Sequence, residues 1–205
     1  PTPVVVLIVA LGAGALIAYV RHAKRTPYPI VDLDLLQIPT FRAAVFGGFL
    51  FRIGLGATPF LLPLLLQAGF GLSAYEAGLL TFISAAGAMA MKTTAQPILR
   101  RFGFRRVLIV NALICAGFLA FIATFTAATP HLFIMGMLLV GGFFRSLEFT
   151  ALNALAYADV DQEAMSRATS FASVAQQLSL STGVAVGAAA LEAARALRGG
   201  GALQA

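Results

Sequence analysis

Four ionisable side chains stand inside long apolar runs of the sequence: Arg52, Lys92, Arg145 and Glu148. A charge in the hydrocarbon of a bilayer costs several kcal/mol, so each is a functional candidate by default. Arg52 lies ten residues beyond Arg42, about 15 Å along a helix, and Gly54, Gly56, Pro59 and Pro63 follow it. That density of glycine and proline predicts a kinked or locally unwound span, tolerated where backbone lines a cavity or packs on neighbouring helices. Arg52 is then either a cavity-lining cation or a structural arginine whose carboxylate partner need not belong to this chain. Lys92 lies eight residues before Arg100, about 12 Å from the end of its run, within reach of snorkelling. Arg145 and Glu148 are three apart and share a helix face. An ion pair between them would lower the desolvation cost of both and make Glu148 a poorer proton carrier. Glu148 is also the only acid deep in any apolar run, and a proton-coupled machine needs a titratable carboxylate. Both readings of the pair stand.

Enzymatic chemistry finds little support. No GxSxG, HExxH or CxxC pattern occurs, and no Walker lysine motif, which speaks against an ATP-driven pump in this chain. The glycines Gly12 and Gly14 in LGAGAL follow no strand, so they form no dinucleotide fingerprint. His22 and His131 lie far apart at the ends of apolar runs, without partners at ligand spacing. Cys115 is the single cysteine, so no intramolecular disulfide forms. No cofactor is expected.

The elements that hold these residues are membrane helices. The 205 residues are 60% hydrophobic and 11% charged, against about 25% charged in an average soluble domain. Mean hydropathy is +0.90. Apolar runs at 3–20, 42–67, 77–99, 107–128, 132–157 and 166–191 predict six spanning helices, each near the roughly 20 residues that a bilayer requires. The fold class is therefore all-α integral membrane, with no strand-like alternation. The net charge of +6 suggests no nucleic-acid groove, because Lys and Arg gather in short loops. The loops 21–41 and 100–106 are basic (Arg21, Lys24, Arg25; Arg100, Arg101, Arg105, Arg106), with Arg42 just beyond the first. The opposite connections, 68–76 and 129–131, carry no Lys or Arg. The positive-inside rule then makes 21–41, 100–106 and the acidic loop 158–165 cytoplasmic, with Arg195 and Arg198 in the tail as a mild violation. Pro27, Pro29 and Pro39 break any helix in the first of these loops into short pieces. The start at Pro1 lacks the basic region of a signal peptide, and the end is Gly199-Gly200-Gly201; the chain reads as a piece of something larger.

Two runs also carry polar stripes at helical spacing. Ser146, Thr150, Asn153 and Tyr157 form one, and Ser166, Ser170, Ser173, Gln177 and Ser181 the other. Such stripes face a water-filled cavity or hydrogen-bond to another helix. Gly183 and Gly187 form a GxxxG, and Gly136, Gly141 and Gly142 also admit close backbone approach; these read as packing motifs.

Longer stretches carry a family likeness. RIGLGATPFLLPLLLQAGFGLSAYEAGLL (52–80) resembles the first C-terminal-half helix and following turn of the fourteen-helix drug:proton antiporters, the EmrB/QacA-like branch of the major facilitator superfamily. RRFGFRR (100–106) resembles that superfamily's short basic cytoplasmic turn, in its second-half copy. FFRSLEFTALNALAYADV (143–160) and SRATSFASVAQQLSLSTGVAVG (166–187) resemble its later helices, and PYPIVDLDLLQIPTFR (27–42) the connection after its two extra central helices.

The resemblance implies an organisation and a function. Residues 1–20 would be an extra central helix, 21–41 a cytoplasmic connection, 42–192 five helices of the C-terminal bundle and 193–205 a tail. The N-terminal bundle and the last helix would be missing. The expected activity is proton-coupled multidrug efflux across the inner (cytoplasmic) membrane, with two bundles rocking around a midplane cavity. Its partners would be the lipid bilayer, the N-terminal helix bundle of the same protein, a lipophilic small molecule and protons. Gly103, Arg105 and Arg106 carry over as a conformational latch in the basic turn. Arg52, Gln67, Lys92, Arg145, Glu148, Asn153 and Gln177 are candidates for the cavity or the coupling, from their chemistry and position alone. Two other readings stay open: a self-contained six-helix homodimeric carrier, and a non-transporting scaffold or regulatory remnant.

Overall fold

The computed structural model describes residues 2–23, 25–26, 29, 31–126 and 128–197. Pro1, Lys24, Pro27, Arg198 and the glycines 199–201 lie outside the described residues, as does the side chain of Arg195. All the elements described are helical: α1 (Thr2–Ala23), α2 (Pro39–Gly56), α3 (Thr58–Leu64), α4 (Ala74–Phe102), α5 (Phe104–Ile122), α6 (His131–Ala156) and α7 (Met165–Leu197), with short helical turns between some of them. Because α2 and α3 run on as one span, Pro39–Gly69, six helices are long and apolar enough to cross a membrane.

The first of these stands largely by itself. Along α1 the aliphatic side chains Val6, Leu7, Ile8 and Val9 are all exposed, and so are Leu11, Leu16 and Ile17 further on. In a membrane protein an apolar helix surface of this kind is covered by lipid or by further helices. Its last turns are tied down: Val31 N donates to the Tyr19 hydroxyl (2.7 Å), and Ala23 is buried. The connection then folds into a tight helical turn, Leu33–Gln37. Asp32 caps it by accepting from Asp34 N (3.0 Å) and pairs with Arg167 at the start of α7 (2.6 Å). Pro39 starts α2, where a missing N–H loses nothing. Here Leu35, Phe41, Ala156, Val160 and Phe171 form a core, with the Phe41 and Phe171 rings edge-on at 5.4 Å.

The span 42–67 breaks, as its glycine and proline content predicts. The helix steps at Ala57, between Gly56 and the Thr58–Pro59 start of α3, and Pro63 has no N–H to offer the carbonyl four residues back. The last turn, Leu65–Gly69, widens to π-helical spacing, with Phe70 N donating to Leu65 O (3.1 Å).

The bundle is built on close crossings. α6 packs against α4, α5 and α2, while α2 also packs along α7. At the α4–α6 crossing a Cβ on Gly87 would run into the Leu139 carbonyl, and one on Gly142 into the Ser84 backbone. At the α2–α7 crossing a Cβ on Gly183 would sit 2.7 Å from the Ile53 carbonyl oxygen, and one on Gly56 3.0 Å from that of Leu180. A Cβ on Gly187 would collide with that of Ala57. The GxxxG and Gly142 therefore mark real crossings. Gly136 and Gly141 do not: Gly136 has open space, and Gly141 meets only the Phe118 ring at ordinary distance.

Several boundaries differ from those read from hydropathy; α1 runs on to Ala23, α2 starts at Pro39 and α7 runs on to Leu197, and three others have a visible cause. The basic loop 100–106 shrinks to Gly103 alone, which ends α4 and starts α5 with φ of 74°, a conformation that excludes a β-carbon at little cost only in glycine. α5 stops at Ile122 although the apolar run continues to 128, because local bonds compete with the helix. Thr124 Oγ1 donates to Phe121 O (2.7 Å), and Thr126 N donates to Thr129 Oγ1 (3.0 Å). α4 begins early, at Ala74, where Ser73 and Glu76 form a capping box.

Candidate functional site

The two charges expected to pair do not. Arg145 turns towards α4, where Nη2 donates to Ser84 Oγ (2.9 Å). Glu148 turns towards α5 and accepts at Oε2 from Asn111 Nδ2 (2.7 Å). The same Asn111 nitrogen donates to Phe144 O (2.9 Å), which fixes the amide against α6. Residues three apart on a helix are offset by about 60°, enough to address different neighbours when the helix is wedged between two. Among the described residues the one ion pair is Arg167 with Asp32, far from this pair. Glu148 is 3% exposed and is the only buried carboxylate in the described spans.

Arg52 is 6% exposed and likewise has no carboxylate in contact among the described residues. Its guanidinium lies over the Phe149 ring of α6 at 5.3 Å, and its Nε is buried without a partner. The side chain runs back along Gly48, where a Cβ would lie 2.6 Å from Nη1. No carboxylate of the described residues pairs with Arg52, and the ring of Phe149 takes part of that role.

The remaining sequence candidates lie outward. Lys92 on α4, Gln67 in the π-helical turn, Asn153 on α6 and Gln177 on α7 are exposed. So are Ser166, Ser173 and Ser181, which continue the Gln177 stripe along α7, while Ser170 is half-buried. The α6 stripe divides: Ser146 Oγ donates to Ala88 O of α4 (3.0 Å) and serves as helix–helix glue, whereas Asn153 reaches the surface. Gly103, Arg105 and Arg106 are exposed at the α4–α5 joint, with both arginines in the first turn of α5. Among the described residues no hydrogen bond or ion pair joins two of these candidates. The structure divides them into an inward set, with Arg52 and Glu148 buried and Arg145 half-buried, and a surface set.

Two hollows adjoin the inward set. A groove of about 500 Å³ runs between α2, α5 and α6, with small residues such as Gly47, Gly54, Ala112 and Ala116 on its walls and Glu148 among its lining. A cavity of about 40 Å³ lies beyond it, lined by Thr58, Ser84, Cys115 and Arg145 among apolar side chains. No three His, Cys, Asp or Glu side chains that could hold a metal come together among the described residues. Asn111, Ser84 and Thr58 did not stand out in the sequence. Asn111 had a signal, as the sole amide in an otherwise apolar run; the two hydroxyls had none.

A bundle of apolar helices with glycine-mediated crossings, a broken span, two buried charges and a half-buried one is that of a polytopic membrane protein. The family model of the Major Facilitator Superfamily matches residues 3–194, and the chain belongs to that superfamily. Over 176 residues it is 35% identical to proteins provisionally named multidrug resistance protein MdtD, from Salmonella heidelberg (strain SL476) and Salmonella paratyphi A (strain ATCC 9150 / SARB42). These alignments cover 85% of this chain, which spans only 37% of the length of those relatives. No solved structure matches it.

Proposed function

We propose that the chain is the C-terminal part of a proton-coupled multidrug efflux transporter that works by alternating access. In this reading 1–20 is an extra central helix, 21–41 a cytoplasmic connection, 42–192 five helices of the C-terminal bundle, and 193–205 a tail whose first residues continue α7 as far as Leu197. The protein sits in the inner membrane with the Gly103 joint on the cytoplasmic side, the side favoured by the arginines around it. The observation that carries the coupling is Glu148, a buried carboxylate held by the Asn111 amide and, among the described residues, by no cation. A carboxylate without a permanent counter-charge can exchange its proton at smaller electrostatic penalty than one locked to arginine. The relatives' name as multidrug resistance proteins supports a lipophilic substrate. The exposed polar stripe of α7, with Gln177, and Asn153 on α6 suit the wall of a cavity completed by the N-terminal bundle.

The test is efflux of a lipophilic dye by the full-length polypeptide carrying this sequence, reconstituted in proteoliposomes with an imposed proton gradient. Gradient-driven efflux that Glu148→Gln reduces at least tenfold, while dye binding persists, is the expected result. Efflux that ignores the gradient would sink the coupling. A native polypeptide near 21 kDa that transports on its own would instead favour the homodimeric carrier, and one that transports nothing the scaffold.

A further inference from the structure

The small cavity next to Arg145 has a lining with one chemical bias: it offers hydrogen-bond donors and no carboxylate. It is bounded by the α2–α3 step, α4, α5 and α6, and Thr58, Ser84, Cys115 and Arg145 supply its polar atoms. Arg145 and Cys115 are its only titratable groups. Arg145 carries five N–H donors, of which one is taken by Ser84 Oγ among the described residues. Ser84 uses its oxygen to accept that bond, and its own proton has no acceptor among the described residues; the residue is 7% exposed. Thr58 Oγ1 is buried with no partner among the described residues.

The charge is equally one-sided. Arg145 lies 14 residues beyond His131 and 11 before Ala156, so about 21 and 16 Å from the two ends of α6, near mid-membrane. Among the described residues no carboxylate bonds to it: Glu148 is engaged by Asn111 and opens to the other hollow. An uncompensated guanidinium at that depth is costly, and water alone leaves its charge in place.

We propose that this cavity is a binding site for a small monovalent anion of chloride size, held by the Arg145 guanidinium and the hydroxyls of Ser84 and Thr58. Size selects the ligand class. A volume of about 40 Å³ exceeds the roughly 15 Å³ that one water needs, yet is far below the roughly 300 Å³ of organic-ligand pockets. Halides fit, whereas gluconate does not. The site uses neither Glu148 nor the α7 stripe, so it stands or falls independently of the proton-coupled efflux reading.

The experiment is thermal unfolding of the full-length polypeptide in detergent at constant ionic strength, with sodium chloride or bromide replacing sodium gluconate. The melting temperature is expected to rise saturably with either halide. Thr58→Val, which keeps the side-chain shape, is expected to raise the half-saturating concentration about tenfold through loss of one bond to a charged ligand. Arg145→Gln is expected to abolish the response. Superimposed chloride and gluconate curves would mean that the cavity holds only water, and would overturn the proposal. So would an unchanged half-saturating concentration in Thr58→Val, which decides the matter even where Arg145→Gln fails to fold.

Discussion

Arg145 and Glu148 sit three residues apart on one helix, yet each is bound by a different neighbour, Ser84 of α4 and Asn111 of α5. The charges are therefore tied across helices, and α6 becomes the element that joins α4 to α5. Substitutions at either partner should be felt across the bundle.

The Asn111–Glu148 bond sets the first expectation. Asn111→Leu leaves a buried carboxylate without its donor and should destabilise the fold by about 1–3 kcal/mol. Glu148→Gln keeps an acceptor oxygen for Asn111 and should change stability by less than about 1 kcal/mol. Thermal denaturation of the two variants checks the order; equal losses would mean that the bond contributes nothing.

The glycines at the crossings differ in a way a single methyl group can measure. Gly142→Ala presses a Cβ against the Ser84 backbone, which cannot step aside, and should cost about 2–3 kcal/mol. Gly136→Ala on the same helix meets open space and should be neutral or slightly stabilising, since alanine is the better helix former. The pair forms an internal control for unfolding measurements.

Arg52 and Phe149 invite a double-mutant cycle. A methyl at Gly48 displaces the guanidinium, a flexible end that can move, so Gly48→Ala should cost only about 1 kcal/mol, the worth of the stacked cation. Phe149→Leu should remove the same interaction. Strict additivity of the two losses would show that the stacking carries no energy.

At the other end, Asp32 both caps the turn and pairs with Arg167, whose side chain is one-third exposed. Solvent screening limits the pair to about 1 kcal/mol. Asp32→Ala loses cap and charge together, while Asp32→Asn keeps the cap. Proteolysis at Arg25 should accordingly be fastest in Asp32→Ala, intermediate in Asp32→Asn and slowest in the parent.

Much of the fold was legible because it is written in one-dimensional signals. Apolar runs marked six spans, Gly54 to Pro63 marked the broken one, and Gly183 with Gly187 marked a crossing. The signals failed where two effects share one composition. Phe121 to Ala128 stays apolar while threonine hydroxyls end the helix, so hydropathy overran α5. The candidate site was harder. Spacing placed Arg145 and Glu148 on one helix face but could not say that two different helices would meet it. Thr58 and Ser84 gain their meaning only from a cavity assembled by four segments distant in sequence.

Gly103 leaves no slack between α4 and α5. With 29 residues, α4 is a rod about 44 Å long, hinged at one end to a second rod of about 28 Å. A tilt of about 5° around that pivot carries the Ser73 end of α4 through roughly 4 Å. The same tilt must either drag α5 or open the angle between them, for no loop can absorb it. Any push at the arginine-rich end that did tilt α4 would therefore be magnified at its Ser73 end, about 44 Å away.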